Sequence, residues 1–331
     1  MKNTITMSAL YQKLQKKGLQ KKYIQETVLP SWWDAELNDK PAAVLEGAGY
    51  IAQRLNLDLK SLLAEDEEPR FKPLPHTKFK YHQQNQAETP NIAYQIATRV
   101  AETVAQATNL PFRSLPANSY EMRSEILAKH SLVNLSSLLD YCWEKGIAVV
   151  YFNNYPNQQR KITGMIQWQG NQPVIVLSSS KTESARLAFH LAHELGHLAL
   201  GHVKQGEGIL IDEDIKEDSN DQEEVESNEF ATYLLVDGFD NCFQRHTIYN
   251  NYQLRKRIEK IIEKEPTIDP CAIAFNYGWH TGKFGCAQKA VNQIDGSKDG
   301  NEIINQFLEA QINWDDLSED HADYLDQILG E

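Results

Sequence analysis

Two histidines four residues apart, with a glutamate directly after the first, constrain this chain more than any other feature: His193-Glu194-Leu195-Gly196-His197. Their surroundings read as a helix from about Thr182 to Leu200, with Leu187, Ala188, Leu191, Leu195, Leu198 and Ala199 as its apolar surface. On a helix, residues i and i+4 lie one above the other on the same face. Both imidazoles can then reach one metal ion, most often zinc, while Glu194 stays free to act as a base. The histidines fall within that apolar surface, where an unpartnered pair is costly and a metal removes the cost. Gly196 costs the helix about 1 kcal/mol against alanine. A crowded metal site, where another backbone must come close, supplies a reason for it.

A catalytic zinc takes three protein ligands and keeps a fourth position open for water. The third ligand is expected on a later helix, and the run from Glu223 to Leu235 is the candidate. At about 100° per residue, Phe230, Ala231, Leu234 and Leu235 mark its buried face. Glu224 lies close to that face, about two turns before Ala231, and Asn228 follows on the same stripe. Glu224 is therefore the expected ligand, and Asn228 an outer partner for a ligand histidine. Glu223 stands as an alternative ligand. Glu226 and Glu229 read as solvated acids at a helix N-terminus, which the helix dipole favours. His190 and His202 flank the motif and read as structural or surface histidines, since the ligand set is already filled.

The rest of the chain divides by pattern. Residues 1–64 read as a compact all-α domain of short helices, with apolar stripes at Leu10, Tyr11, Leu14 and Leu19, then at Tyr23, Ile24, Val28 and Leu29. A longer stripe runs through Val44, Leu45, Ile51, Ala52 and Leu55. Residues 65–90 read as an extended linker, acidic at Glu65-Asp66-Glu67-Glu68 and then rich in proline and amides. A third domain is expected over 91–295. Helices are expected at 92–105, 119–128 and 135–145, and strands at 147–152, 162–168 and 173–177, leading into the histidine helix. Glu207 to Asp221 reads as a solvated acidic insertion, with a lid over the cleft as the alternative. Residues 296–331 read as an acidic helical tail. The fold class is α+β: a helical N-terminal domain, a small sheet packed on the histidine helix, and a helical C-terminal region.

Three runs carry resemblances. Phe189 to Leu200 resembles the active-site helix of the ImmA/IrrE metallopeptidases. Glu224 to Ala231 is similar to that family's E-x-E-A-N-x-F-A segment, with Ser227 in place of Ala. Asp269-Pro270-Cys271-Ala272-Ile273-Ala274 loosely resembles its H-P-x-I-V segment, with Asp269 where the family has His and without the following Gly-Arg-Leu. His190 stands where the family has a small or hydroxyl residue. The likeness covers about residues 90–295, and the sheet-on-helix layout resembles the zincin platform. It implies zinc-dependent cleavage of a peptide bond, with His193, His197 and Glu224 on the metal and Glu194 as the base. Tyr233, Tyr277 and His280 are candidates for stabilising the oxyanion.

Residues 1–64 resemble the Cro/repressor-type helix-turn-helix, above all at Ile51-Ala52-Gln53-Arg54-Leu55-Asn56-Leu57. Lys13, Lys16, Lys17, Lys21 and Lys22 could then touch DNA phosphates; a solvated lysine face is the plainer reading. The family's usual substrates are DNA-binding repressors, cut under stress or on induction of mobile elements, which implies such a protein substrate here. A non-proteolytic transcription regulator or antitoxin, whose metal domain senses or scaffolds, is the alternative.

The bulk properties narrow the class further. The 331 residues, 41% hydrophobic and 24% charged, suit a globular chain with more than one core. Net charge is −13, yet residues 1–80 hold 13 Lys and Arg against 10 Asp and Glu. The acidic excess lies entirely beyond them, so any contact with nucleic acid is expected in the N-terminal part. The four cysteines form no Cys-x-x-Cys pair, as in a reduced cytoplasmic protein. Neither a signal peptide nor a membrane-spanning run is apparent, so no membrane partner is expected.

Overall fold

The computed structural model describes residues 5–74, 77–80, 92–156, 162–205, 208–212, 215, 219–238, 242–243, 248, 250–295 and 297–330. The chain is α+β, with one mixed sheet sandwiched between helices. Its strands are β1 (Thr77–Lys80), β2 (Ala148–Tyr151), β3 (Gly164–Gln169), β4 (Gln172–Leu177) and β5 (Ile209–Asp212). They lie in the order β1-β5-β3-β4-β2. β3 runs antiparallel to both β4 and β5, while β1 is parallel to β5 and β2 parallel to β4.

Side chains alternate between the two faces of a strand. One face carries Val149, Tyr151, Ile166, Trp168, Ile175, Leu177 and Leu210, all in the hydrophobic cluster that holds the histidine helix. The other carries Ala148, Val150, Met165, Val174, Val176, Ile209 and Ile211, which belong to a second cluster. Both faces are covered, so β2 and β4 are buried throughout and read as unbroken apolar runs. By the same alternation Gly164 and Asp212, which face each other in the β3–β5 register, point toward the histidine helix.

Two helices on that first face position the site: α8 (Ser184–Ala199) and α9 (Gln222–Val236). The Asp221 side chain caps α9 by accepting from the Glu223 amide, and α9 ends at Asp237 in the left-handed region. α8 and α9 pack along each other, and Gly196 lies at a close approach between them. A Cβ there would stand 3.1 Å from Ser227 Cα and 3.3 Å from Phe230 Cβ.

The opposite face is covered by α5 (Ile92–Thr108). Its cluster also takes in the N-terminal helices α1 (Met7–Lys16), α2 (Lys21–Tyr23), α3 (Pro41–Arg54) and α4 (Leu59–Leu63). Helices α6 (Ser119–Leu127), α7 (Leu135–Glu144), α10 (Asn251–Ile262), α11 (Pro270–Thr281) and α12 (Phe284–Ile294) belong to the cluster that holds the histidine helix, with α7 and α11 packed directly on it. α13 (Gly300–Glu309) and α14 (Glu319–Leu329) follow, and α14 packs against α5. No helix among the described residues is long and apolar enough to cross a membrane.

Two expectations need correcting. The stretch read as an extended linker contributes β1, which pairs with β5 along its whole length; residues 75–76 and 81–90 of it lie outside the described residues. The stretch read as a solvated acidic insertion contributes β5, whose Ile209, Leu210, Ile211 and Asp212 are all buried. Its residues 207, 213–214 and 216–218 lie outside the described residues.

Candidate metal centre

His193 and His197 are fully buried, with their Nε2 atoms 3.0 Å apart. Each ring is fixed from behind. His193 Nδ1–H donates to Asn228 Oδ1 at 3.0 Å. His197 Nδ1–H donates to His202 Nδ1 at 2.9 Å, and His202 Nε2–H to Glu226 Oε2 at 3.1 Å. Each ring is thus held through Nδ1, which turns both Nε2 atoms into the cluster, the arrangement of metal-ligating histidines.

Glu224 comes up from α9, buried, with its carboxylate 3.3 Å from His197 Nε2 and 3.5 Å from His193 Nε2. The helical stripe that sequence reasoning assigned to Glu224 and Asn228 is thus turned toward α8. Glu223 is not in the cluster: its carboxylate is tied to Lys78 Nζ on β1 at 2.5–2.6 Å. Glu226, read as a solvated acid, instead holds His202, and His202 lies directly on His197. Tyr277 donates its hydroxyl to Ile248 C=O, and the Tyr233 ring packs on Tyr120.

Sequence reasoning missed Asp212. It lies at the end of β5, 1% exposed, with Oδ2 at 3.6 Å from both His193 Nε2 and His197 Nε2. His193, His197, Asp212 and Glu224 each offer a ligand atom within 4.8 Å of the others. The only sequence signal was the apolar run Ile209-Leu210-Ile211 immediately before it, hidden among acids. Gly164 was also passed over. A Cβ there would collide with Glu194 Oε1, so only glycine lets the Glu194 carboxyl lie against the sheet.

The electrostatics follow from three carboxyl groups in one buried space. Burial, then the charges of Asp212 and Glu224, push the Glu194 carboxyl well above the ordinary range. Burial works against a charged His193, but the Asp212 and Glu224 carboxylates outweigh it and raise the imidazole to about 9. Burial likewise opposes ionisation of Glu224, yet hydrogen bonding to His193 and His197 holds it far below the usual carboxylate range. His190 is driven the other way, to about 3, by burial and by the positive charges of Arg186 and His193.

The residues fit a divalent ion. Neither oxygen of Asp212 or of Glu194 accepts a hydrogen bond from the protein, although all four are buried. Buried carboxylates without donors are expensive, and a cation among them together with two imidazole lone pairs is the arrangement that removes the expense.

Residues 142–258 match the IrrE N-terminal-like domain. The matched segment begins in α7 and ends in α10, and it contains β2 to β5, α8 and α9. The likeness is to a peptidase family, and it supports the ImmA/IrrE resemblance carried by the histidine helix and by Glu224 to Ala231. Metallopeptidases of that type use a divalent metal, with which the buried cluster is compatible. The match does not extend to the N-terminal helices. A search of curated proteins finds no match to the chain.

The lysines of the N-terminal helices make mostly internal contacts. Lys13 Nζ donates to the Leu62 and Ala64 carbonyls. Lys17 pairs with Glu68 at 2.6 Å, and Lys22 lies 3.8 Å from Glu26. Lys21 sits over the Tyr11 ring.

Proposed function

We propose that this chain is a zinc-dependent endopeptidase acting on a DNA-binding repressor or a related regulatory protein. The observation that carries the enzymatic part is Glu194. Its carboxyl is fully buried, accepts no hydrogen bond and stands beside two histidines and a glutamate arranged for a metal. A protein that only sensed or scaffolded through the ion would gain nothing from that cost. The regulatory substrate rests on the ImmA/IrrE resemblance and on the helices ahead of the peptidase-like segment, which resemble a repressor-type module.

His193, His197 and Glu224 would hold the ion. When bound, it lowers the pKa of water toward about 7 and polarises the scissile carbonyl. Glu194 takes the proton of the attacking water as that oxygen bonds to the carbonyl carbon. It returns the proton to the amine nitrogen as the C–N bond breaks. Asn228 and His202 keep the two imidazoles oriented, and the sheet behind Gly164 excludes water from the far side of Glu194.

The test compares wild type with Glu194→Gln in cells, where any activating signal is present, on repressors encoded beside the gene, following cleavage by mass spectrometry and bound zinc by metal analysis of the purified proteins. Cleavage should be abolished with the zinc content unchanged. A genuine substrate cut equally well by the variant would overturn the assignment.

A further inference from the structure

A three-ligand site explains His193, His197 and Glu224 but leaves Asp212 without a task. Four ligands around zinc at about 2.0–2.1 Å form a tetrahedron whose edges are about 3.3 Å. The histidine Nε2 atoms are 3.0 Å apart, and Asp212 Oδ2 is 3.6 Å from each. Glu224 offers one oxygen to each ring, Oε1 at 3.3 Å from His197 Nε2 and Oε2 at 3.5 Å from His193 Nε2. All of these separations fall within about 0.3 Å of the ideal edge. Asp212 is therefore as well placed as Glu224, and it comes from the opposite wall, a sheet strand instead of a helix.

Three further observations agree. Asp212 is 1% exposed and neither of its oxygens has a hydrogen-bond partner, so the two imidazoles are the groups that face its charge. Its side of the strand is dictated by the register: Leu210, two residues earlier, is buried on the histidine-helix face. Its position is held by the Thr163 amide, which donates to the Asp212 carbonyl at 2.7 Å, and by pairing of β5 on both edges.

We propose that Asp212 is a fourth protein ligand and that it holds the peptidase latent. The proposal rests on the metal-dependent reading of the site given above. Four side chains on a tetrahedral ion leave no position for the water that Glu194 would deprotonate. Glu194 then waits beside a closed centre, and cleavage requires the end of β5 to withdraw Asp212. Such a peptidase is switched by whatever moves one strand, without any change in the other three ligands.

The test uses the full chain as wild type, Asp212→Ala and the near-isosteric Asp212→Asn, with folding checked by circular dichroism. Zinc affinity is measured by competition with a chelator. Cobalt(II) is then substituted and its visible absorption recorded with and without azide. The proposal expects both variants to lose more than the roughly 10–100-fold that removal of an outer partner costs. It also expects the wild-type cobalt spectrum to ignore azide and that of Asp212→Ala to respond, because a position has opened. Should Asp212→Ala not fold, the affinity and azide response of Asp212→Asn decide. Unchanged zinc affinity, or a wild-type spectrum that already responds to azide as the variant does, overturns the proposal. A wild-type chain that binds no zinc at all would instead sink the metallopeptidase reading itself.

Discussion

Gly164 and Glu194 show how one absent side chain shapes the reactive end of this site. The Glu194 carboxyl occupies the space that any Cβ at 164 would need. Gly164→Ala should therefore displace the carboxyl by about 1 Å, which costs on the order of 100-fold in turnover where geometry is critical. Bound zinc should stay unchanged, because no ligand moves. Turnover of the substrate and metal content, measured on the same preparation, check both halves; an active variant would show that Glu194 is not held from the sheet. Gly164 was invisible in the sequence because its reason lies across a strand–helix contact, not in a local turn. Asp212 escaped for a different reason. Among the many acids between Glu207 and Asp221, nothing marks one carboxylate as buried until β5 is paired with β3. The histidines, Glu194, Glu224 and Asn228 could be read because helical periodicity alone places them on one face.

At the scale of elements, the spacing of α8 and α9 decides whether Glu224 reaches the histidines. Gly196 sets that spacing against the Ser227 backbone. Gly196→Ala gains about 1 kcal/mol of helix propensity, offset by forcing Ser227 Cα back by a few tenths of an ångström. Thermal stability should then change little while zinc affinity falls, which melting curves and chelator competition would separate. At the far edge of the sheet, β2 is bonded by a side chain of α13. Asn305 on α13 accepts from the Tyr151 amide at 3.0 Å and donates to the Tyr151 carbonyl at 3.1 Å, as a neighbouring strand would. Asn305→Ala removes both of these buried hydrogen bonds and should destabilise by about 2–3 kcal/mol in chemical denaturation. β2, β3, β4 and α8 lie where apolar runs and helical periodicity predict them. β1 and β5 were not legible, since Thr77-Lys78-Phe79-Lys80 is too short and polar to signal a strand. β5 is only four residues long and borders an acidic run.

Across the whole molecule, the N-terminal helix α3 and the last helix, α14, are fastened together on the side of the sheet away from the candidate metal centre. Arg54 on α3, 3% exposed, donates to Asp323 on α14 at 2.8 Å, to Gln327 at 2.8 Å and to the Val28 carbonyl at 3.2 Å. Ser31 donates to Asp323 as well, through its amide and hydroxyl. A pattern-based reading cannot see such a pair: the partners are 269 residues apart, and Asp323 looks like one more acid of a solvated tail. Burial tends to raise the Asp323 carboxyl, but bonding to Ser31 and Arg54 wins and holds it below the ordinary aspartate value. A carboxyl lowered in the folded state stabilises above its unfolded pKa, about 3.9, and loses that contribution as pH falls through the lower folded value. Asp323→Ala should cost about 2 kcal/mol at pH 7, less than the 3–5 of a fully buried pair because the Asp323 carboxyl is partly solvated. The gap between wild type and variant should stay level down to about pH 5 and narrow below about pH 4. Urea denaturation of both proteins across that range measures it, and a gap that widened on acidification would exclude the ion pair as its source. Zinc affinity at pH 7 should be the same in both, because the sheet stands between this fastening and α8.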